Sequence, residues 1–273
     1  MLSHPSPKWI DTHNHLHDPR IGKIDRSLVD ALKKAGVGYV VVNGTSENDW
    51  PAVAELARRF PDFVWPSFGL HPWHSSRCSQ RWHTSLTRYL EEFPRAGIGE
   101  MGLDRWMANP NLEEQRRQFI AQWELAVQWE RPISLHCLKA WDELFALWAD
   151  LPPYPGRVLI HGFTGSREIA RRLWHREYLL GFGGGALLPK KVATREAFRE
   201  APAEALLLET DAPDMAAPEG MRTHFFSDRT LNHPGNLVSY GNALAELRGQ
   251  ASETLRLQLH NNTLRWLGIK HGP

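Results

Sequence analysis

Eight short apolar segments alternate with longer amphipathic segments along this chain, and that alternation restricts the fold more than any other feature. The apolar segments predict strands at residues 9–13, 39–43, 63–70, 96–100, 133–136, 158–161, 179–183 and 206–209. Helical periodicity predicts helices that include residues 26–35, 49–60, 112–130, 141–149, 167–175 and 194–200, followed by 237–247 and 252–267. Strands that are apolar throughout are typical of a parallel sheet covered on both faces.

Two α/β folds have this alternation, and the turn after the first strand distinguishes them. A doubly wound open sheet would place a glycine-rich phosphate-binding turn there. Residues 11–15 instead read Asp-Thr-His-Asn-His, a sequence suited to a metal ion. We therefore expect a (β/α)8 TIM barrel, which usually takes about 250 residues, as a single domain over residues 1–273.

Composition excludes several classes of protein. Lys and Arg number 32 against 31 Asp and Glu, a net charge of +1 that argues against a basic protein coating nucleic acid. No apolar run reaches the roughly 18 residues of a membrane helix, and residues 1–7 do not resemble a signal peptide. Two cysteines cannot build a disulfide framework. We expect a cytoplasmic protein with no membrane association and no obligate protein partner.

Six side chains that can ligate a metal lie where predicted strands end: His13, His15, Glu100, His136, His161 and Asp211. His13 and His15 are two residues apart, so a regular strand would point both to one face. In a barrel all C-terminal strand ends meet at one mouth, where the active sites of such enzymes lie. Each residue alone has an ordinary explanation, such as a packed histidine or a helix cap. Six of them at the same ends predict a metal centre.

The number of these ligands indicates how many ions they hold. A catalytic zinc takes three protein ligands and keeps an open position, so four imidazoles and two carboxylates exceed the needs of one ion. They suit two divalent cations that share a carboxylate. Nitrogen-rich ligation favours zinc or manganese over calcium, and leaves magnesium open. The surplus positive charge suits an anionic substrate.

Five ordered motifs resemble those of the TatD family, metal-dependent deoxyribonucleases among the amidohydrolase-like barrels. They are residues 11–15 (DTHNH), 69–72 (GLHP), 98–104 (IGEMGLD), 161–165 (HGFTG) and 209–213 (ETDAP), and residues 262–268 (NTLRWLG) resemble the family's last helix. The resemblance spans nearly the whole chain. It implies the same six residues as ligands of two metal ions, with Glu100 bridging them. It also implies hydrolysis of phosphodiesters, typically by trimming DNA from the 3′ end.

The same resemblance suggests further roles. Asp211 becomes the candidate general base, and His71, after the third strand, a candidate substrate contact. The family often shows His-x-Arg after the fifth strand, and in this chain Leu138 stands at the position of that arginine. The candidate phosphate contact is therefore the next residue, Lys139. Lysine is a point charge without the guanidinium fork. Residues 181–185 (GFGGG) suit equally a phosphate-binding loop or a tight turn.

Two other functions stay open at this point. A hydrolase of a small-molecule ester, amide or lactone could use the same site, because the fold does not decide the substrate. A non-catalytic, metal-dependent binding module is the second alternative, although a structural site is closed by its ligands. Most of the 12 tryptophans fall at helical positions and predict packing. Trp73 and Trp106 fall in mouth loops and are candidates for base stacking.

Overall fold

A computed structural model describes residues 7–269 of the chain. Residues 1–6 and 270–273 lie outside the described residues. The prediction on residues 1–7 and both ends of the predicted 1–273 domain fall wholly or partly there. Eight parallel strands form one sheet in chain order, and the predicted (β/α)8 barrel is confirmed. The strands are β1 Trp9–Asn14, β2 Val37–Asn43, β3 Val64–Phe68, β4 Gly97–Asp104, β5 Ile133–Leu138, β6 Val158–Ile160, β7 Leu179–Phe182 and β8 Leu206–Leu208.

One long helix follows each of the first seven strands, and two follow the eighth. They are α1 Arg26–Ala35, α2 Trp50–Arg59, α3 Trp82–Glu92, α4 Leu112–Gln128, α5 Trp141–Asp150, α6 Arg167–Trp174, α7 Val192–Glu200, α8 Leu237–Arg248 and α9 Ser252–Leu267. Asn111 caps α4 by accepting a hydrogen bond from the Glu114 amide at 3.1 Å. No helix within residues 7–269 is both long and apolar enough to cross a membrane.

Large aromatic side chains fill the space between the sheet and the surrounding helices. Trp50 of α2, Phe119 and Trp123 of α4, and Trp266 of α9 are all buried. Trp123 lies 5.7 Å, centroid to centroid, from Phe119, and its indole N–H donates to the Pro152 carbonyl. Burying such side chains contributes much of the free energy of folding. The helices therefore hold the strands firmly, and the strand ends form a rigid support for functional groups.

β4 extends further than the sequence predicts, and this corrects the position of Glu100. The strand runs to Asp104 rather than ending at Glu100, and its register with β5 shifts between Ile98 and Met101. Such irregularities re-aim side chains. Gly102, with φ of 153°, lies so close to the His136 carbonyl that a Cβ atom there would collide with it. Glu100 thus lies within the strand at a register shift.

The barrel closes between β1 and the residues that follow β8. The Asp11 carboxylate accepts hydrogen bonds from the Thr210 backbone N–H at 2.9 Å and from its hydroxyl at 2.5 Å. The Asp211 N–H donates to the His13 carbonyl at 2.9 Å. Burial raises the pKa of Asp11 to about 7, although the bonds from Thr210 oppose this. The first and last strands are therefore joined at the end of the barrel where two predicted ligands stand.

Candidate metal centre

All six predicted ligands come together at the C-terminal mouth of the barrel, and His71 lies with them. They form three overlapping groups whose nitrogen and oxygen atoms lie within 4.8 Å of one another: His13 with Glu100 and His161, His13 with His15 and Asp211, and His71 with Glu100 and His136. The chain supplies them from β1, β4, β5 and the loops after β1, β3, β6 and β8. These elements converge because parallel strands end at one mouth.

Four atoms make the first donor group: His13 Nε2, His15 Nε2, Glu100 Oε2 and Asp211 Oδ1. The two imidazole nitrogens are 3.3 Å apart. His13 Nε2 lies 3.5 Å from each carboxylate oxygen, and His15 Nε2 lies 3.3 Å from each. Tetrahedral ligands about 2.1 Å from a zinc ion stand about 3.4 Å from one another. The spacing of this group therefore fits one tetrahedral cation.

The second donor group surrounds the other oxygen of the same carboxylate. Glu100 Oε1 lies 2.7 Å from His161 Nε2, 3.0 Å from His136 Nδ1 and 3.2 Å from His71 Nε2. His136 Nδ1 and His161 Nε2 are 3.3 Å apart. The His161 ring also stacks on the His13 ring, with centroids 3.9 Å apart. This group offers three imidazoles and one oxygen, again a set suited to a transition ion.

Glu100 faces both groups, one oxygen to each, and is itself buried. Burial alone would raise the pKa of its carboxyl, but the surrounding imidazoles outweigh that effect and lower the pKa well below its usual range. The same balance applies to Asp211: burial raises its pKa, but the hydrogen bond from His15 and the charges of the neighbouring histidines outweigh this and lower the pKa below its usual value. Both carboxylates are therefore ionised and available as ligands.

The histidines divide into two classes by charge. Burial lowers the pKa of His13 to about 3 and that of His71 to about 4, so both rings are neutral near pH 7 and keep a free lone pair. For His15 and His136 burial acts in the same direction but is outweighed. Hydrogen bonds to Asp211 and Glu100 raise the pKa of His15, and those to Asp104 and Glu100 raise that of His136 to about 9.

Three partners that sequence reasoning missed orient the histidine rings. The Ser134 hydroxyl lies 2.6 Å from His13 Nδ1, and the Asn43 carbonyl lies 2.8 Å from His15 Nδ1. Asp104 Oδ2 lies 3.0 Å from His136 Nε2. A ligating histidine usually has such a partner on its other nitrogen, which fixes the ring and raises its basicity. Asp104 was visible as the last residue of the 98–104 motif, but its pairing needs the folded β4–β5 register.

Glu209 lies behind the centre and does not join either donor group. It is fully buried, it accepts a hydrogen bond from the Gly162 N–H, and its Oε2 has no partner among the described residues. Burial, with the nearby charge of Asp211, raises the pKa of this carboxyl well above its usual value. The neutral acid is therefore favoured here, in contrast to Glu100.

The glycines after β7 serve packing. A Cβ atom on Gly184 would lie 2.6 Å from the Ala217 amide nitrogen, and one on Gly185 would collide with the Met215 side chain. Both glycines are buried under the loop that follows β8. Packing alone therefore requires glycine at both positions.

Lys139 lies at the rim of the mouth and does not touch the donor groups. It directly follows β5, has φ of 54°, and is exposed. Its Nζ stands over the Trp106 ring, 5.4 Å from the centroid. The structure thus places the predicted phosphate contact beside an exposed indole.

Comparison with known proteins gives a consistent result. Residues 10–268 match the family model described as TatD related DNase. The chain is 30% identical over 258 residues to an uncharacterized metal-dependent hydrolase, YjjV, of Escherichia coli K12, with 94% of this chain and 96% of that protein covered. It is 34% identical over 258 residues to the 3′-5′ ssDNA/RNA exonuclease TatD of Erwinia billingiae, covering 93% and 96%. The crystal structure of the E. coli YjjV TatD homologue matches with a TM-score of 0.86 at 29% identity, covering 97% of this chain and 99% of that one.

Proposed function

Because the chain belongs to the TatD-related DNase family and is a metal-dependent hydrolase that acts on ester bonds, we propose that it cleaves phosphodiesters of DNA from the 3′ end with two divalent ions. The observation that carries the proposal is the position of Glu100, with one oxygen in each donor group. A single carboxylate shared by two donor groups suits a centre of two ions. The ligands are His13, His15, Glu100, His136, His161 and Asp211.

Each part of the donor set has a task in this reaction. Divalent ions in the two groups supply Lewis acidity and neutralise the charge that develops on a phosphoryl group. Asp211, ionised and 8% exposed, accepts the proton of the attacking water. His71, neutral because burial lowers its pKa to about 4, orients a substrate oxygen from the loop after β3. Lys139 supplies positive charge for the backbone phosphates at the rim.

We also propose the identity of the ions, the substrate class and the cellular location. Zinc, manganese and magnesium all meet the requirements of a site built from imidazoles and carboxylates. DNA or another phosphodiester is the partner of the site. The chain acts as one domain over residues 1–273 in the cytoplasm, where Cys78 and Cys137, both unpaired, stay reduced.

Hydrolysis of end-labelled oligonucleotides tests this function. The protein is stripped with a chelator, reloaded with zinc, manganese or magnesium, and offered single-stranded DNA, RNA, a small phosphodiester and a lactone side by side. We expect shortening of 5′-labelled DNA from its 3′ end, loss of activity on chelation, and protection by a 3′-terminal phosphorothioate. Turnover of the lactone without turnover of any phosphodiester would refute the nuclease function and favour the alternative, a hydrolase of carbonyl esters or lactones.

A further inference from the structure

Two of the 12 tryptophans are exposed, and both stand at the mouth of the barrel. Trp73, in the turn after β3, is 55% exposed, and Trp106, in the loop after β4, is 67% exposed. The other ten are buried or half-buried. Exposed aromatic rings are the surfaces on which nucleobases stack in proteins that bind single strands.

Asp104 fixes both tryptophans relative to the metal centre. Its Oδ2 accepts a hydrogen bond from the Trp73 indole N–H at 2.7 Å, and its Oδ1 accepts one from the Trp106 backbone N–H at 2.7 Å. The same Oδ2 lies 3.0 Å from His136 Nε2. Trp73 also packs edge to face on His71, with centroids 5.2 Å apart. The Trp73 indole and the backbone of Trp106 are therefore both anchored beside the second donor group.

Positive charge accompanies the indoles. Lys139 Nζ lies 5.4 Å from the centroid of Trp106. Among residues 7–269 no carboxylate lies within ion-pairing distance of Lys139, whereas the neighbouring Arg105 is paired with Glu143. The ammonium group of Lys139 is therefore available to a phosphate while its position over the ring is held by a cation–π contact.

We propose that Trp73, Trp106 and Lys139 form a stacking platform for the nucleobases next to the scissile phosphodiester. The proposal deepens the function proposed above and rests on it. An indole face and a cation together bind a base and its phosphate without regard to sequence. In a duplex the faces of the bases are covered by their neighbours, so only a single strand offers a free face to these rings.

Trp106→Ala is the variant that tests the platform. The substitution removes the ring but keeps the backbone N–H that binds Asp104, whereas Trp73 contacts Asp104 through its side chain. Tyr39→Ala is the matched control, because Tyr39 is a 46% exposed aromatic residue near the start of β2, away from the mouth. Both variants are compared with the wild-type holoenzyme on oligodeoxythymidine and on an abasic strand of the same length.

We expect Trp106→Ala to raise KM for oligodeoxythymidine by about 5- to 100-fold, the range for loss of one stacked base. The preference of the enzyme for the intact strand over the abasic strand should fall by the same factor, and Tyr39→Ala should retain that preference. A KM within about twofold of the wild-type value, or an equal rise on both strands, would overturn the platform.

Binding without hydrolysis separates this proposal from the function on which it rests. Anisotropy of a labelled oligodeoxythymidine with a 3′-terminal phosphorothioate is measured on the holoenzyme, and we expect Trp106→Ala to weaken binding by about 5- to 100-fold. Equal dissociation constants for wild type and variant, including no binding by either, overturn the platform. A wild-type holoenzyme that binds the strand through Trp106 but hydrolyses no phosphodiester overturns the proposed function instead.

Discussion

Replacing Glu100 by glutamine should remove metal from both donor groups at once. The substitution keeps the size of the side chain but leaves one neutral oxygen and one NH₂ group where two ionised oxygens now face His13 and His15 on one side and His136 and His161 on the other. One group keeps a weak uncharged donor, and the other meets a group that cannot ligate. Each ion also loses the attraction of a shared negative charge.

The size of the effect follows from the role of Glu100 as a ligand in both groups. Removing a partner that only orients a ligand weakens metal binding by about 10- to 100-fold, so losing the ligand itself should cost at least about 100-fold at each position. Because both positions depend on Glu100, the product of the two association constants should fall by at least about 10⁴-fold. At a metal concentration that saturates the wild type with two ions, the variant should hold less than one.

Elemental analysis of the desalted protein measures the number of metal ions per chain, and circular dichroism verifies the fold. Glu209→Gln is the matched control, since it makes the same change at a fully buried carboxyl two residues from Asp211. The raised pKa of Glu209 favours the neutral acid, so a neutral amide replaces it at little cost, and two ions should remain. If Glu100→Gln keeps one ion at wild-type affinity, the carboxylate serves a single position and the shared-ligand reasoning is wrong.

Four further predictions concern the groups around Glu100. Asp211→Asn keeps a neutral oxygen donor but cannot accept a proton, so metal should largely remain while the rate of DNA hydrolysis falls by about 10²- to 10⁴-fold; near-full activity would assign the proton to another group. Asp104→Asn should weaken metal binding by about 10- to 100-fold in a chelator competition, because His136 Nε2 loses its carboxylate partner. The pKa of His136 in the metal-free protein is raised to about 9, and a metal ion binds only the neutral ring. The affinity for the metal ion should therefore fall by about tenfold per pH unit below 9 for each displaced proton. Equal metal affinities by calorimetry at pH 6 and pH 8 would contradict this. Lys139→Ala should raise KM for an anionic phosphodiester by about 10- to 150-fold with kcat and metal content nearly unchanged, and a change within about twofold would show that Lys139 contacts no substrate.

The strand ends could be predicted from the sequence because the barrel imposes a simple rule on them. Parallel strands that end at one mouth bring together whatever follows each apolar segment. His13, His15 and His161 obey this rule directly, and His136 lies two residues before the end of β5. Glu100 obeys it less well, since β4 continues for four residues beyond it and only a register shift turns it to the mouth.

The supporting contacts could not be predicted, because they depend on register and loop paths. Ser134 is the second residue of β5 and looks like an ordinary strand residue, yet its hydroxyl lies 2.6 Å from His13 Nδ1, 121 residues away in sequence. The helix α3 was absent from the predicted helices. Its N-cap residue, Arg81, offers no capping side chain, so the usual start signal is missing.

The closure of the barrel through Asp11 and Thr210 also sets when the centre can exist during synthesis. The first donor group needs His13 and His15, which are among the first residues made, and Asp211, which follows nearly 200 positions later. A nascent chain that has been translated only as far as β7 lacks both the closing contact and the last carboxylate. Contacts so distant in sequence form late in folding. An incomplete chain therefore lacks one carboxylate of the first donor group, and that group is complete only when the ring is joined.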